Sequence, residues 1–208
     1  MWRLFYPLRY FSLVNREKRH IDLWPTLIIG ILLALPFALI PGASFFRPDG
    51  FLDKILALTT ALTGFYVAAL VGAATFSHPD LDKTITIGAI ALVRRGEDGR
   101  RIQELLTRRE FACTVFGYLA FATMMISISA SAAVALSGIS FAPLAEIRWI
   151  GRAFGDGWPV TRGVLIFAFT APLAHVAVAT SLGLYYLMDR LYRQEPKVTA
   201  KKPHREAA

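Results

Sequence analysis

Four long stretches of the chain contain no Asp, Glu, Lys or Arg. They cover residues 23–40, 55–76, 111–136 and 163–187. The hydrocarbon core of a bilayer is about 30 Å thick, and a helix needs about 17 to 25 apolar residues to cross it. The pattern therefore predicts four transmembrane helices. We expect an all-α, polytopic membrane protein in which residues 1–194 form a single four-helix bundle.

The overall composition leads to the same fold class. Hydrophobic residues make up 55% of the 208 residues and charged residues only 18%. Soluble domains have about 25% charged residues. Four buried apolar helices in a soluble protein of this length would leave almost no polar exterior, so the composition excludes an ordinary soluble domain.

The distribution of basic residues predicts the orientation of the spans. The segment before the first span, the loop 77–110 and the C-terminal tail together hold 18 of the 23 Lys and Arg residues. Short loops rich in Lys and Arg stay in the cytoplasm. We therefore predict a bacterial inner-membrane protein with both termini and this loop inside. This distribution accounts for the net charge of +8, so we expect no direct nucleic acid partner.

Several segments outside the spans have their own patterns. Residues 1–20 mix aromatic residues and Leu with Arg, which is typical of a helix lying on the cytoplasmic leaflet. Residues 144–154 predict a short interfacial helix on the outside. In the cytoplasmic loop, residues 96–99 (GEDG) either close a small hairpin or interrupt a continuous helix at Gly96. Residues 195–208 are too polar to pack and predict a disordered basic tail.

Small residues recur at four-residue spacing on three of the spans. Such faces allow close packing of membrane helices, either within one protomer or between protomers. We expect both uses, and therefore a homo-oligomer. The residues concerned are Gly64, Ala68 and Gly72 in the second span, Ser127 and Ser131 in the third, and His175, Ala179 and Gly183 in the fourth.

His175 is the one basic side chain in the middle of a span. A polar residue within the membrane is a functional candidate by default. The alternative that we favour is a neutral His bonded to a Ser or Thr of the third span, or to a carbonyl freed by Pro172. Because no carboxylate lies in any predicted span, the sequence argues against an ion-coupled transporter. A passive pore stays open as an alternative.

The sequence contains no recognisable catalytic motif. G-x-S-x-G, H-E-x-x-H, a Walker loop and C-x-x-C are all missing. His78, Asp80 and Asp82 form a short cluster of metal-ligating residue types, but the pattern after Ser77 is that of an ordinary helix start. We therefore expect no enzyme activity, no metal site and no cofactor.

Four arginines, Arg94, Arg95, Arg100 and Arg101, flank the GEDG turn. Arg forms forked hydrogen bonds to carboxylate or phosphate, which Lys cannot form. Anionic lipid would also attract these charges. We expect contacts with membrane lipids, and we predict that this cluster binds a cytoplasmic protein partner.

The size, the four predicted spans and the inside position of both termini resemble the membrane subunit of Kiwa-type anti-phage systems. Such a subunit is a small four-span bacterial protein that works with a cytoplasmic, DNA-binding partner encoded beside it. The resemblance covers the layout of the whole chain and matches no motif, so it assigns no functional residue.

These patterns favour a non-catalytic, oligomeric membrane platform or sensor that recruits or signals to a cytoplasmic partner in bacterial defence. A small ion channel or permeability effector is the alternative.

Overall fold

A computed structural model gives the fold of the chain as four long helices with a small sheet at one end. The residues that it describes are 2–14, 16–40, 43–47, 49–77, 81–82, 84, 91–95, 101–137 and 158–192. The long helices are α1 (Arg16–Leu39), α2 (Phe51–Thr75), α3 (Arg108–Ser137) and α4 (Trp158–Tyr192).

All four helices are long and apolar enough to cross a membrane. The four charge-free windows of the sequence lie within these helices, to within one residue at each end. The all-α, polytopic fold class is therefore confirmed. Their outward faces carry large exposed apolar side chains, such as Leu32, Phe65 and Val164. Such side chains are compatible with the hydrocarbon core of a bilayer, and the chain is a multi-pass membrane protein.

The helices pack in the order α1, α4, α3, α2. Gly30 of α1 lies against Ala171 of α4 so closely that an added Cβ would be 3.2 Å from the Ala171 Cα atom. A Cβ on Gly183 of α4 would similarly lie 3.1 Å from Val115 Cγ1 of α3. Glycine at these crossings allows the backbones to approach, which is how helices associate where lipid removes the hydrophobic driving force.

Hydroxyl groups join α2 to its neighbours. The hydroxyls of Thr59 and Ser127 are 2.8 Å apart, and those of Thr63 and Thr123 are 2.9 Å apart. Most of these residues also donate to a carbonyl of their own helix, as Thr59 does to Ile55 O at 2.8 Å. Interhelical hydrogen bonds of this kind fix the register of α2 on α3.

The end of the bundle that carries the loop 77–110 also carries a three-stranded antiparallel sheet. Its strands are β1 (Leu13–Val14), β2 (Ala91–Arg95) and β3 (Arg101–Leu105), in the order β1-β2-β3. Of the two alternatives for this loop, the hairpin is therefore the one that forms, and the continuous helix is wrong. The physical reason is that β2 gains a partner on each side, which a single helix in this loop would not have.

The N-terminal segment differs from the predicted leaflet helix. Residues Trp2–Ser12 form a 3-10 helix, and α1 already begins at Arg16, so residues 16–20 belong to the first long helix. Tyr10 is 3% exposed. It packs into the bundle because its ring finds aromatic partners there, as described below.

The start of α3 is set by the pattern Thr107-Arg-Arg-Glu110. Thr107 Oγ1 accepts a hydrogen bond from the Glu110 N–H at 3.2 Å, and Glu110 Oε2 accepts one from the Thr107 N–H at 3.1 Å. This capping box supplies partners for N–H groups that the first turn leaves open. The segments predicted as an outer interfacial helix (144–154) and as a disordered tail (195–208) lie outside the described residues.

Candidate functional site: an aromatic and polar cluster around His175

His175 lies in the middle of α4 and faces α1. Its Nδ1 atom is 3.4 Å from the hydroxyl oxygen of Thr26. The predicted partner was a Ser or Thr of the third span or a carbonyl freed by Pro172, whereas the hydroxyl near His175 comes from the first span. The difference follows from the packing order, because α4 lies between α1 and α3 and turns this side chain to α1.

Three aromatic rings from two other elements surround His175. Tyr10 of the 3-10 helix stacks on Tyr118 of α3, with ring centroids 4.4 Å apart and an interplanar angle of 8°. Phe11 stacks on the imidazole at 5.8 Å and meets Tyr118 edge-on at 5.1 Å. Tyr118 in turn meets the imidazole edge-on at 5.7 Å. Ring pairs at these distances stabilise a packing arrangement beyond the area that they bury.

A carboxylate belongs to the same cluster. The Tyr10 hydroxyl donates to Asp22 Oδ2 at 3.4 Å, and Asp22 Oδ1 is buried without a hydrogen-bond partner among the described residues. Asp22 immediately precedes the first charge-free window. It is the first residue of the part of α1 that is long and apolar enough to cross a membrane. Four elements thus bring together a carboxylate, an imidazole, two phenols and the Thr26 hydroxyl.

This constellation is a packed cluster of polar and aromatic side chains, with one hydrogen bond between Tyr10 and Asp22 and one between Thr26 and His175. Within the ranges that the structure describes, no group of three or more His, Cys, Asp and Glu side chains could hold a metal ion. The cluster is where three helices and the N-terminal segment meet, so its chemistry is tied to the arrangement of the bundle.

The small-residue faces lie in different surroundings. On α4, Ala179 is 1% exposed and Gly183 lies against α3, so this face packs within the protomer. On α2, Gly64 and Ala68 are exposed, and an added Cβ on Gly64 or Gly72 would meet no atom of the described residues within 4 Å. On this side α2 presents an open face of small residues.

The two serines of α3 also separate. Ser127 is half-buried and lies at the α2–α3 contact with Thr59, and its hydroxyl is also 3.5 Å from that of Thr60. Ser131 is exposed, four residues further along α3. Only the first of the two therefore takes part in the described contact with α2.

The arginine cluster lies on the hairpin. Arg94 and Arg95 end β2, and Arg101 begins β3 directly opposite Arg95 in the register. Arg100 lies outside the described residues. The hairpin thus brings together backbone positions that the GEDG turn separates in the sequence.

The predicted metal-like cluster is represented by one residue. Asp82 accepts hydrogen bonds from Arg109 Nε at 2.8 Å and from Arg109 Nη2 at 3.3 Å, while His78 and Asp80 lie outside the described residues. Arg109 also donates to Ala74 O at 3.2 Å, near the end of α2. This forked pair connects the loop to the ends of α2 and α3, which is a structural role.

Sequence reasoning missed the other members of the cluster around His175. Asp22 and Thr26 are four residues apart and so share a face of α1, a signal that was available. The approach of Tyr10 to Tyr118, which lie 108 positions apart in the sequence, had no sequence signal.

Searches against protein-family models, curated proteins and solved structures find no match to this chain.

Proposed function

We propose that this protein is a non-catalytic, oligomeric platform in a bacterial inner membrane, and that it recruits or signals to a cytoplasmic partner. The observation that carries the proposal is the sheet. Strands from two distant segments of the chain combine outside the membrane helices and hold three of the four arginine positions. A loop that only joined two spans would need no sheet built from both segments.

The chemistry of the partner surface follows from the arginines. Guanidinium groups make forked hydrogen bonds with carboxylates and phosphates. Because the register sets Arg95 opposite Arg101, the hairpin concentrates positive charge that would suit an acidic protein surface. Anionic lipid is the competing ligand for the same charges.

Oligomerisation is supported by the open face of α2. Gly64 and Ala68 are exposed in a helix that otherwise follows the membrane pattern. A second copy of the chain could approach closely there, since small residues allow backbone contact. The layout that the chain shares with Kiwa-type membrane subunits makes anti-phage defence the setting that we propose.

The orientation in this proposal puts both termini and the sheet inside. Cysteines introduced at Ser44 and Ser137 should react with an impermeant maleimide added to intact spheroplasts. A cysteine at Asp98 should react only after permeabilisation. Reaction at Asp98 in intact spheroplasts would reverse the proposed topology.

A set of arginine variants tests the partner surface. Charge reversal at Arg94, Arg95, Arg100 and Arg101 should abolish co-purification of the partner from native membranes and leave insertion and oligomer size unchanged. The quadruple Lys variant separates the two ligands, because lipid needs only positive charge whereas a forked interface loses most of its strength. If the quadruple Ala variant still binds its partner, the sheet is not the recruiting surface.

A flux measurement separates the platform from a channel. The described core is packed with hydroxyl pairs such as Tyr66 and Thr180, whose oxygens are 2.6 Å apart, and this supports the platform. Purified protein in liposomes should therefore give no ion flux above empty vesicles. Steady flux, abolished by bulky substitutions at Gly64 and Ala68, would favour a pore between protomers.

A further inference from the structure

The segment from Tyr10 to Val14 contacts the bundle at one end and the sheet at the other. At the bundle end, Tyr10 stacks on Tyr118 of α3, meets His175 of α4 edge-on at 6.4 Å and hydrogen-bonds to Asp22 of α1. Three of the four long helices thus determine where this one ring lies. Tyr10 is 3% exposed, so it cannot move without opening the cluster.

At the sheet end, the same segment becomes β1. Leu13 pairs with Leu92, and Val14 pairs with Ala91. The paired strand, β2, continues directly to Arg94 and Arg95. β1 is therefore the edge strand beside the strand that carries two of the arginines.

The connection between the two ends has no slack. One residue, Ser12, separates Phe11 from Leu13, and two residues of fully extended chain span at most about 7 Å. A displacement of Tyr10 and Phe11 by more than a few ångströms must therefore either pull β1 with it or break its pairing with β2.

We propose that residues 10–14 form a coupling strap, which transmits changes in the arrangement of α1, α3 and α4 to the arginine-bearing sheet. Through this strap the membrane helices would signal to the partner surface. The biological meaning of the strap rests on the proposed function.

The strap has two states, which is what coupling requires. In the docked state Tyr10 is buried and β1 is paired. In the released state the rings leave the cluster and β2 loses its β1 neighbour. Two paired residues are too few to hold a strand on their own, so β1 needs the docked rings on its N-terminal side as well as its connection to α1, which begins at Arg16. A change that opens the cluster therefore releases the edge of the sheet.

Hydrogen exchange on the isolated chain in phosphatidylethanolamine–phosphatidylglycerol nanodiscs tests the strap. In Tyr118→Ala, which changes only α3, the amides of residues 91 and 92, where β1 pairs with β2, should exchange roughly fivefold faster or more, because the stacking partner of Tyr10 is lost. Tyr118→Phe keeps the ring and should change exchange by less than about twofold. Tyr6→Ala is the control for removal of a ring from the same 3-10 helix outside the cluster, since Tyr6 is 64% exposed.

Protection of α2 reports whether each variant is folded. A folded Tyr118→Ala variant whose amides at residues 91 and 92 exchange like those of the parent overturns the proposal, as do equal effects of the Ala and Phe substitutions.

If Tyr118→Ala does not fold, Val14→Pro decides from the other end. It disrupts β1 and changes no residue of the four long helices, and coupling is reciprocal, so the amides of residues 8–11 should exchange faster. Unchanged exchange there overturns the proposal.

These measurements involve no partner. The strap can therefore fail while the arginine variants still lose partner binding, and the reverse outcome would reject the platform and keep the strap.

Discussion

The small-residue faces of α2 and α4 share a four-residue spacing in the sequence and have opposite surroundings in the fold. On α4, the face is used inside the protomer: Ala179 is buried and Gly183 touches α3. On α2, Gly64 and Ala68 face outward. Spacing identifies a surface that permits close approach, and the order of the helices decides whether that surface is already occupied.

The largest loss of stability is expected at the α1–α4 crossing. Gly30→Leu would place a large side chain where a Cβ alone is 3.2 Å from the Ala171 Cα atom. Backbone cannot move aside as a flexible side chain can, so we expect a loss of about 3 kcal/mol of protomer stability. Thermal unfolding in detergent, followed by circular dichroism, measures the change.

Gly64→Leu is the matched control for this substitution. It makes the same chemical change on the open face of α2, and protomer stability should stay within about 0.5 kcal/mol of the parent. Equal losses for the two variants would show that the two faces do not differ.

A smaller effect is expected at the α3–α4 crossing. In Gly183→Ala the new methyl group would lie 3.1 Å from Val115 Cγ1, and we expect a cost of about 1 kcal/mol. In a Val115→Ala background the obstructing methyl group is gone, so the same substitution should cost nothing further. A double-mutant cycle measures this coupling, and strict additivity would contradict it.

The hydroxyl contacts of α2 with α3 should contribute less again. Thr63→Val removes the contact with Thr123 at 2.9 Å, and we expect a loss of about 0.6 kcal/mol. Thr75→Val is the control, because the exposed Thr75 hydroxyl donates to carbonyls of its own helix, the nearer being Val71 O at 2.8 Å. A cost for Thr75→Val as large as that for Thr63→Val would mean that the interhelical contact adds nothing.

Substitutions on the open face of α2 should have the smallest effect on the protomer. Gly64→Leu combined with Ala68→Leu should leave the helical content of the protomer unchanged and shift the protein from oligomer to protomer, because bulky side chains prevent close approach there. Analytical ultracentrifugation in detergent measures the mass. An unchanged mass would place the contact between copies on another face.

Much of the local structure was predictable because its causes are local. The four spans follow from the charge-free windows, and the capping box at Thr107 and Glu110 follows from a four-residue pattern that brings both partners into one turn. For the hairpin, the GEDG turn left two alternatives. The choice between them depends on β1, which comes from a segment about 80 positions away.

The candidate site was predictable only in part. His175 stands out because one imidazole in a long apolar stretch is unusual. The surroundings of His175 did not stand out in the sequence. An aromatic residue such as Tyr10 near a predicted leaflet surface has the pattern of an interfacial anchor. Its burial against Tyr118 comes from the bundle leaving room for a ring between α1, α3 and α4.

By itself, then, the sequence determined the number, length and lipid-compatible character of the helices, because the bilayer imposes an apolar length that can be counted along the chain. Only the tertiary structure decided which small-residue face is filled, which helix gives His175 its Thr26 partner and how the N-terminal segment connects the bundle to the sheet. Those outcomes depend on which helices become neighbours. Lipid tails solvate an apolar face as well as another helix does, so hydrophobic pattern cannot choose between them, and the choice falls to close packing and hydrogen bonds between distant residues.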